Sequence, residues 1–338
     1  MVGNEVQRRS GGHAAVQVLA VAACYFGAGR LGLVRELVVE GAVVTPIYPA
    51  SGVAVAALLI LGMRCWPGIT IGALFVVMSI TMPRLDVLGT LAGQTGAPVC
   101  AALLLRRVRF RSDLGRLRDG LALVFLGALG AMLISSTVGV GLLVVTDRLD
   151  ASSFPPVWLA WWVGDAMGVL IVTPLLLLLH GARWPPPLAR WKEAVALTVV
   201  ACALVPVSVY SSLSLLFLVY PLLIWAALRF QLVGSALCAL LTSVLATVAA
   251  TDNVGAFTGL SRLEVMAKLQ AFNGSMALTA LLLSAVITEQ HNTRQSVEKA
   301  CQELVEVLEH LTAGEAPPRL PPSKTDGRDE TPRHPESF

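Results

Sequence analysis

The sequence has little charge, few histidines and no C-x-x-C pair, and each shortage excludes a class of protein. Only 14% of the 338 residues are charged and 55% are hydrophobic, which excludes a water-soluble globular domain. The five histidines are scattered without the spacing of metal ligands, so we expect no metal site and no cofactor. No soluble segment presents a basic face, which argues against a nucleic-acid partner.

The six cysteines do not form the pattern of a disulfide framework. Four lie inside apolar runs and two fall on the side of the membrane predicted below to be reducing, where disulfides do not persist. We therefore expect no disulfide. The first group is Cys24, Cys100, Cys202 and Cys238, and the second is Cys65 and Cys301.

Apolar blocks, each of a length that could cross a bilayer, recur from His13 to about Thr288. A bilayer core takes roughly 20 apolar residues per helix, so we predict an all-α polytopic bundle of about ten spans. A count of eight or nine remains open if a short block is re-entrant, because only residues 229–231 separate two of the blocks. The predicted spans are 14–33, 47–63, 68–82, 87–105, 121–145, 157–179, 194–211, 215–228, 232–251 and 268–288.

Basic residues predict the orientation of the bundle. The loop at residues 106–118 carries about six arginines, and short loops rich in Lys and Arg stay in the cytoplasm. Alternation then gives about thirteen basic residues on the cytoplasmic side against five outside, before the C-terminal tail is counted. Both termini, including residues 1–13, are predicted to be cytoplasmic. We also expect no cleaved signal peptide, since the first apolar block has no A-x-A-like site after it.

A stretch at residues 46–52 is unusual for a lipid-facing helix, because two prolines and a glycine stand at its start. Backbone groups freed there must be satisfied by protein or trapped water. An outward-facing vestibule that uses Tyr48, Pro49 and Ser51 would explain the pattern. A plain helix start, with Pro49 in the first turn and Tyr48 at the interface, explains it equally well.

A second stretch, residues 158–168, places an acidic residue inside a span. Asp165 lies about eight positions in, or about 12 Å deep, so it must face the bundle. Helical spacing puts it on one stripe with Trp158, Trp161 and Gly168, and Trp162 is adjacent. An intramembrane carboxyl indicates a functional site, although an interhelical hydrogen bond that only joins two helices would leave the same pattern.

A third stretch, residues 135–141, combines hydroxyls with glycines in the middle of a span. Ser135, Ser136 and Thr137 could serve Asp165, and a helix face poor in side-chain bulk also permits simple close packing. The only arginine inside a span, Arg30, is the other candidate partner for the carboxyl.

The C-terminal region divides in two. Residues 289–313 form a predicted cytoplasmic helix with an a/d seam of about two heptads, which is either a short coiled coil or an amphipathic extension of the last span. Residues 314–338 are rich in proline and charge and are predicted to be disordered. The seam consists of Val297, Cys301, Leu304, Leu308 and Leu311.

Four motifs in order resemble the first class of MASE (membrane-associated sensor) domains. They are residues 46–53 (PIYPASGV) with 62–69 (GMRCWPGI) and Gly72, then Arg118-Asp119, 134–140 (ISSTVGV), and 158–168 (WLAWWVGDAMG) with Pro174. The resemblance covers about residues 14–288 and implies an integral sensor-type domain of the bacterial inner membrane, usually fused to a kinase or a cyclic-di-GMP enzyme.

The chain departs from the family pattern at three places. Gln94 stands in a region where the family tends to show an Asn and a Leu-Glu pair, and Tyr48 stands where a Trp is usual. The residues after Thr288 contain no G-G-D-E-F-like sequence and no D-x-G-x-G, so we expect a stand-alone module without an output domain.

The combined pattern predicts a sensor that is not an enzyme and that passes its signal to a cytoplasmic kinase or cyclase, or to a second protomer through the seam at 297–311. A secondary transporter or channel for a small solute is the alternative, because spans interrupted by proline and glycine surround an intramembrane carboxylate. The candidate ligand-binding residues are Asp165, Trp158, Trp161, Trp162, Tyr48, Pro49, Ser51, Ser135, Ser136, Thr137 and Gln94.

Overall fold

A computed structural model of the chain describes residues 2–80, 86–181, 190–211 and 215–312. Side chains are described for all of these except residues 2–13, Asp86 and 310–312. The chain divides into one compact unit that ends at Gln290 and a second that begins at His291. The predicted disordered tail at 314–338 lies outside the described residues.

Helices dominate the described chain, with one small β-hairpin. A short π-helical segment, Leu123–Gly130, joins α5 to α6 so that residues 117–145 form one long run. The elements are α1 Val2–Leu33, β1 Leu37–Val39, β2 Ala42–Val44, α2 Pro49–Ile60, α3 Trp66–Met78, α4 Asp86–Arg107, α5 Leu117–Ala122, α6 Ala131–Val145, α7 Phe154–Gly181, α8 Trp191–Tyr210, α9 Val219–Thr251 and α10 Arg262–Thr312.

Seven helical stretches of the described chain are long and apolar enough to cross a membrane. The all-α class is therefore confirmed. Two predicted spans are shorter than expected, because α2 has only 12 residues and α3 only 13, below the roughly 20 that a bilayer core needs. Proline in the first turn sets the start of each helix, and Gly62, with φ 96°, turns the chain just after α2.

The chain reverses direction within α9, at Gln231, whose φ of 51° and ψ of −138° are not helical. A Cβ built on Gly234 would lie 2.9 Å from the carbonyl oxygen of Ala226, although residues eight apart in a straight helix are separated by about 12 Å. The two arms, 219–230 and 232–251, therefore form a helical hairpin. Their separation at 229–231 matches the break between two predicted spans.

Glycines bring α2 and α7 into close contact. A Cβ on Gly52 would overlap the carbonyl oxygen of Gly168, and a Cβ on Gly168 would overlap the carbonyl oxygen of Tyr48. On the neighbouring pair, Gly72 of α3 leaves room for the backbone of α1, since a Cβ there would lie 2.7 Å from the carbonyl oxygen of Ala22. Small residues at such crossings let helix backbones approach one another.

The β-hairpin lies at the end of the bundle that the charge pattern predicts to be external. Its strands pair in antiparallel register, Leu37 with Val44 and Val39 with Ala42. Just before the hairpin, Arg35 forms an ion pair of 2.7 Å with Asp252, at the end of α9. Because both side chains are exposed, this pair contributes little stability, but it shows that the two loops meet at this end.

The α10 helix runs through the predicted cytoplasmic segment without a break, as far as Thr312. Its described seam residues are exposed, with Val297 at 57%, Leu304 at 63% and Leu308 at 60%. These described seam residues therefore form an exposed apolar stripe on α10.

Candidate functional site

A cavity of about 360 Å³ lies beneath the β-hairpin, among α1, α3, α4, α6 and α7. This volume falls in the range typical of small-molecule sites. Its walls are mostly apolar and a few polar side chains converge on it. The polar and aromatic lining residues are Thr45, Tyr48, Thr90, Gln94, Arg148, Trp161 and Asp165.

Asp165 lines the cavity, and its buried carboxyl is only half satisfied. Ser135 donates its hydroxyl to Asp165 Oδ2 at 2.7 Å. Asp165 Oδ1 is buried and has no hydrogen-bond partner among the described residues. The indole of Trp161 lies within interaction range of the carboxyl but does not reach hydrogen-bond geometry at Oδ1. The site therefore holds a buried acceptor with one open position.

Of the two candidate partners for the carboxyl, the structure selects the hydroxyl. Arg30 is exposed on the surface of α1 and has no contact with Asp165. The neighbouring hydroxyls act elsewhere, since Ser136 donates to the carbonyl oxygens of Met132 and Leu133. The expectation that a hydroxyl could serve Asp165 holds for Ser135.

The start of α2 is fixed to α7 beside the carboxyl. Ser51 Oγ lies 2.7 Å from the carbonyl oxygen of Asp165 and 2.8 Å from that of Tyr48. The backbone N–H of Tyr48 donates to the carbonyl oxygen of Gly164 at 3.0 Å. Pro49 begins α2 and packs near Gly32 of α1. The chain therefore enters α2 at the depth of Asp165, which leaves space for the cavity between this point and the hairpin.

A tyrosine that sequence reasoning missed holds two of the residues that line the cavity, Gln94 and Tyr48. Tyr25 is fully buried in α1 and donates its hydroxyl to Gln94 Oε1 at 3.0 Å. Its ring also meets that of Tyr48 edge to face, with centroids 6.5 Å apart. These contacts orient Gln94 toward the cavity. The available signal was a tyrosine inside an apolar span, which needs a partner for its hydroxyl when buried.

Three other predicted site residues lie away from the cavity. Trp158 donates to the exposed hydroxyl of Thr137 at 3.0 Å and stacks on Trp162, with ring centroids 5.7 Å apart. Trp162 donates to the carbonyl oxygen of Leu129 at 2.8 Å. None of these three side chains lines the cavity. The carbonyl group that accepts the hydrogen bond from Trp162 belongs to the π-helical segment. The backbone of that segment follows the i→i+5 hydrogen-bond pattern and not the i→i+4 pattern of an α-helix.

The helical run 117–145 connects the site to the other end of the bundle. Ser135, on this run, holds the carboxyl of Asp165. At the start of the same run the backbone N–H of Leu117 donates to Glu289 Oε2 of α10 at 2.9 Å. Eighteen residues separate Leu117 from Ser135, about 27 Å of helix, and the π-helical segment lies between them.

Metal and disulfide chemistry receive no support from the part of the chain that the structure describes. There, no group of three or more His, Cys, Asp or Glu residues is placed to hold a metal ion. The cysteines are free thiols.

The apolar helices, with a ligand-sized cavity between them, define a multi-pass membrane protein. A family model of MASE1 matches residues 17–291, so the chain belongs to the MASE1 family, as its four motifs predicted. MASE1 is a membrane-associated sensor domain. Searches of curated proteins and of solved structures found no match to the chain.

Proposed function

We propose that this protein is a membrane sensor whose cavity binds a small molecule and whose α10 helix carries the response. The observation that carries the proposal is the half-satisfied carboxyl of Asp165 at a ligand-sized cavity. An isolated carboxylate in a span costs on the order of 2.5–3.5 kcal/mol on insertion scales. A ligand that satisfies Oδ1 therefore binds one packing of the helices better than another, which is what a sensor needs.

The proposed setting is the bacterial inner membrane, with the β-hairpin outside and both termini in the cytoplasm. In this orientation the cavity faces the periplasm and Glu289 lies at the cytoplasmic surface. A bundle of ten spans requires that α2, α3 and each of the two arms of α9 cross the membrane separately. The arginine-rich loop at 106–118 supports this orientation.

The proposed path of the signal follows the run 117–145. Asp165 and Trp162, on α7, both bond to this run, one at Ser135 and one at the carbonyl of Leu129. A π-helical segment contains one residue more than an α-helix needs, and such segments are frequent at functional sites. Conversion to α-helix would turn the part near Leu117 by about 100° and break its bond to Glu289. The segment is thus a two-state element that the cavity can bias.

The proposed receiver of the signal is a cytoplasmic kinase or cyclase, or a second copy of the chain joined through the seam at 297–311. Apolar residues exposed at helical spacing on α10 support such pairing. We propose no catalytic role for the protein itself, because Asp165 has no cysteine, histidine or second carboxylate beside it in a catalytic arrangement.

Transport is the competing function, since the short helix α2 begins beside a buried carboxyl and the short helix α3 lines the same cavity. Purified protein in liposomes tests it. We expect no saturable solute flux and no proton leak, with empty liposomes as the control. Robust flux that Asp165→Asn abolishes would overturn the sensor proposal in favour of a transporter.

A further inference from the structure

The chemistry of the cavity indicates what kind of molecule it takes. Residues that bear a carboxyl, an indole and an amide line it, and aliphatic side chains form most of its walls. We propose that the ligand is a small organic amine with an apolar body, bound with its ammonium group against Asp165 and Trp161. This inference rests on the proposed sensing function and assigns the ligand class of that same site.

The open position at the carboxyl requires a donor. Asp165 Oδ2 already accepts from Ser135, and Oδ1 is the atom without a partner. A buried acceptor left unpaired costs about 1–3 kcal/mol. Of the donors that a small molecule can carry, an ammonium forms the strongest bond to a carboxylate, because the hydrogen bond is charge-assisted.

Aromatic rings beside the carboxyl favour a cation over a neutral donor. Trp161 lines the cavity one turn before Asp165 and packs on Gly139, where a Cβ would lie 3.1 Å from the ring. Glycine at that position lets the ring approach the backbone of α6 closely. Tyr48 lines the same end of the cavity. An indole face attracts ammonium groups, and more strongly when water is excluded.

The walls favour an apolar body on the amine. One side consists of Val76 and Val77 of α3 and of Ile80, which follows that helix. Another side consists of Leu142 and Leu143 of α6. Strand β2 covers the cavity with its own aliphatic side chains. An inorganic cation or a highly polar amine would leave this surface without a complementary partner, whereas a hydrocarbon body buries it favourably.

The positive charge at the cavity margin does not oppose an ammonium at the carboxyl. Arg148 lies in the loop beyond α6 and is exposed. Along the chain it lies 13 residues after Ser135, the residue that is bonded to the carboxyl of Asp165. Because its guanidinium is in contact with water and salt, its charge is screened more than that of a buried group.

Access to the carboxyl requires a side-chain movement. Asp165 is only 1% exposed, so an ammonium reaches Oδ1 only when a side chain around the carboxyl moves aside. Because Asp165 and Ser135 are bonded to each other, that movement acts on the run 117–145. Recognition of the amine and the start of the proposed signal are therefore the same event.

Thermal unfolding of the detergent-solubilised full chain tests the ligand class. The probes are 2-phenylethylamine, its uncharged analogues N-acetyl-2-phenylethylamine and 2-phenylethanol, and the anion 3-phenylpropionate. A ligand that binds only the folded state raises the melting temperature with concentration. We expect 2-phenylethylamine to do so at concentrations about tenfold lower than the uncharged analogues, and the anion to have no effect.

Variants assign the effect to the carboxyl and the indole. Asp165→Asn should weaken binding of 2-phenylethylamine about tenfold, and Trp161→Leu should weaken it while the carboxyl is kept. Ser136→Ala is the matched control, because its hydroxyl bonds only within α6 and does not line the cavity. The uncharged analogues test the same point on the unaltered protein, should Asp165→Asn fail to fold.

Equal binding of 2-phenylethylamine and 2-phenylethanol, unchanged amine binding in Asp165→Asn, or no shift with the amine at millimolar concentration would each overturn the assignment. Binding of the amine without any change at the Leu117–Glu289 contact would leave the ligand class standing and refute the proposed signalling. Accumulation of the amine inside liposomes would keep the ligand class and favour transport.

Discussion

The contact between α2 and α7 yields a steric prediction at Gly168. A methyl group there would overlap the carbonyl oxygen of Tyr48 and the hydroxyl of Ser51, and the first of these is backbone, which cannot rotate away. Overpacking of this kind costs about 1–3 kcal/mol. Replacement of glycine by alanine inside a helix also gains up to about 1 kcal/mol, so Gly168→Ala alone mixes two effects.

Gly96→Ala separates these two effects. Gly96 is also helical, in the middle of α4, and nothing lies within 4 Å of a Cβ built there. The difference between the two variants is therefore the steric cost, about 1–3 kcal/mol. Thermal unfolding in detergent should place Gly168→Ala below the unaltered protein and Gly96→Ala at or above it. If Gly168→Ala unfolds at the same temperature as Gly96→Ala, the close approach of α2 and α7 is wrong.

Two further predictions concern orientation and assembly. Reporter fusions at Gly115 and after Phe338 should read cytoplasmic and a fusion at Ser152 external, because six arginines lie in the loop at 106–118; a cytoplasmic Ser152 would reverse the arrangement. Oxidation of isolated membranes should cross-link two protomers through Cys301 in a variant whose other exposed cysteines, Cys24 and Cys202, are replaced by serine, since Cys301 occupies an a/d position and is exposed. Absence of a cross-linked dimer in that variant would contradict pairing through the seam.

Local patterns in the sequence predicted most of the helices. Hydropathy predicted the helical blocks, including the break at residues 229–231, because the need to bury apolar residues in lipid acts on each segment separately. The hairpin at 37–44 was missed although a signal existed. Its strands alternate between buried and exposed residues around Glu40-Gly41, and both turn residues have positive φ, as two-residue hairpins of type I′ require.

Long-range pairings within the site could not be predicted from one sequence. Asp165 is a signal by itself, because a carboxyl at that depth needs a partner. The sequence left Ser135 and Arg30 as alternatives, and only the packing of α6 on α7 separates them. Tyr25 and Gln94 are 69 residues apart, and their bond depends on how α1 and α4 meet. The π-helical segment has no periodicity that distinguishes it from the α-helix around it.

The roles of the tryptophans show the same limit. Helical spacing placed Trp158 and Trp161 on the stripe of Asp165, but spacing does not say which neighbour each ring meets. The hydroxyl of Thr137 holds Trp158 at the surface, and the carbonyl of Leu129 holds Trp162 at the π-helical segment. Of these three rings, only that of Trp161 lines the cavity.

The distance between spin labels at Arg116 and Gln290 tests the coupling most directly, since both residues are exposed and flank the bond from Leu117 to Glu289. The labels would be placed in a cysteine-free background that keeps the melting temperature of the unaltered protein. Removing the bond to the carboxyl with Ser135→Ala should change the distance distribution, about 27 Å of helix away from the substitution, while Ser136→Ala leaves it unchanged. The same distribution in the unaltered protein and in Ser135→Ala would contradict transmission along the run 117–145.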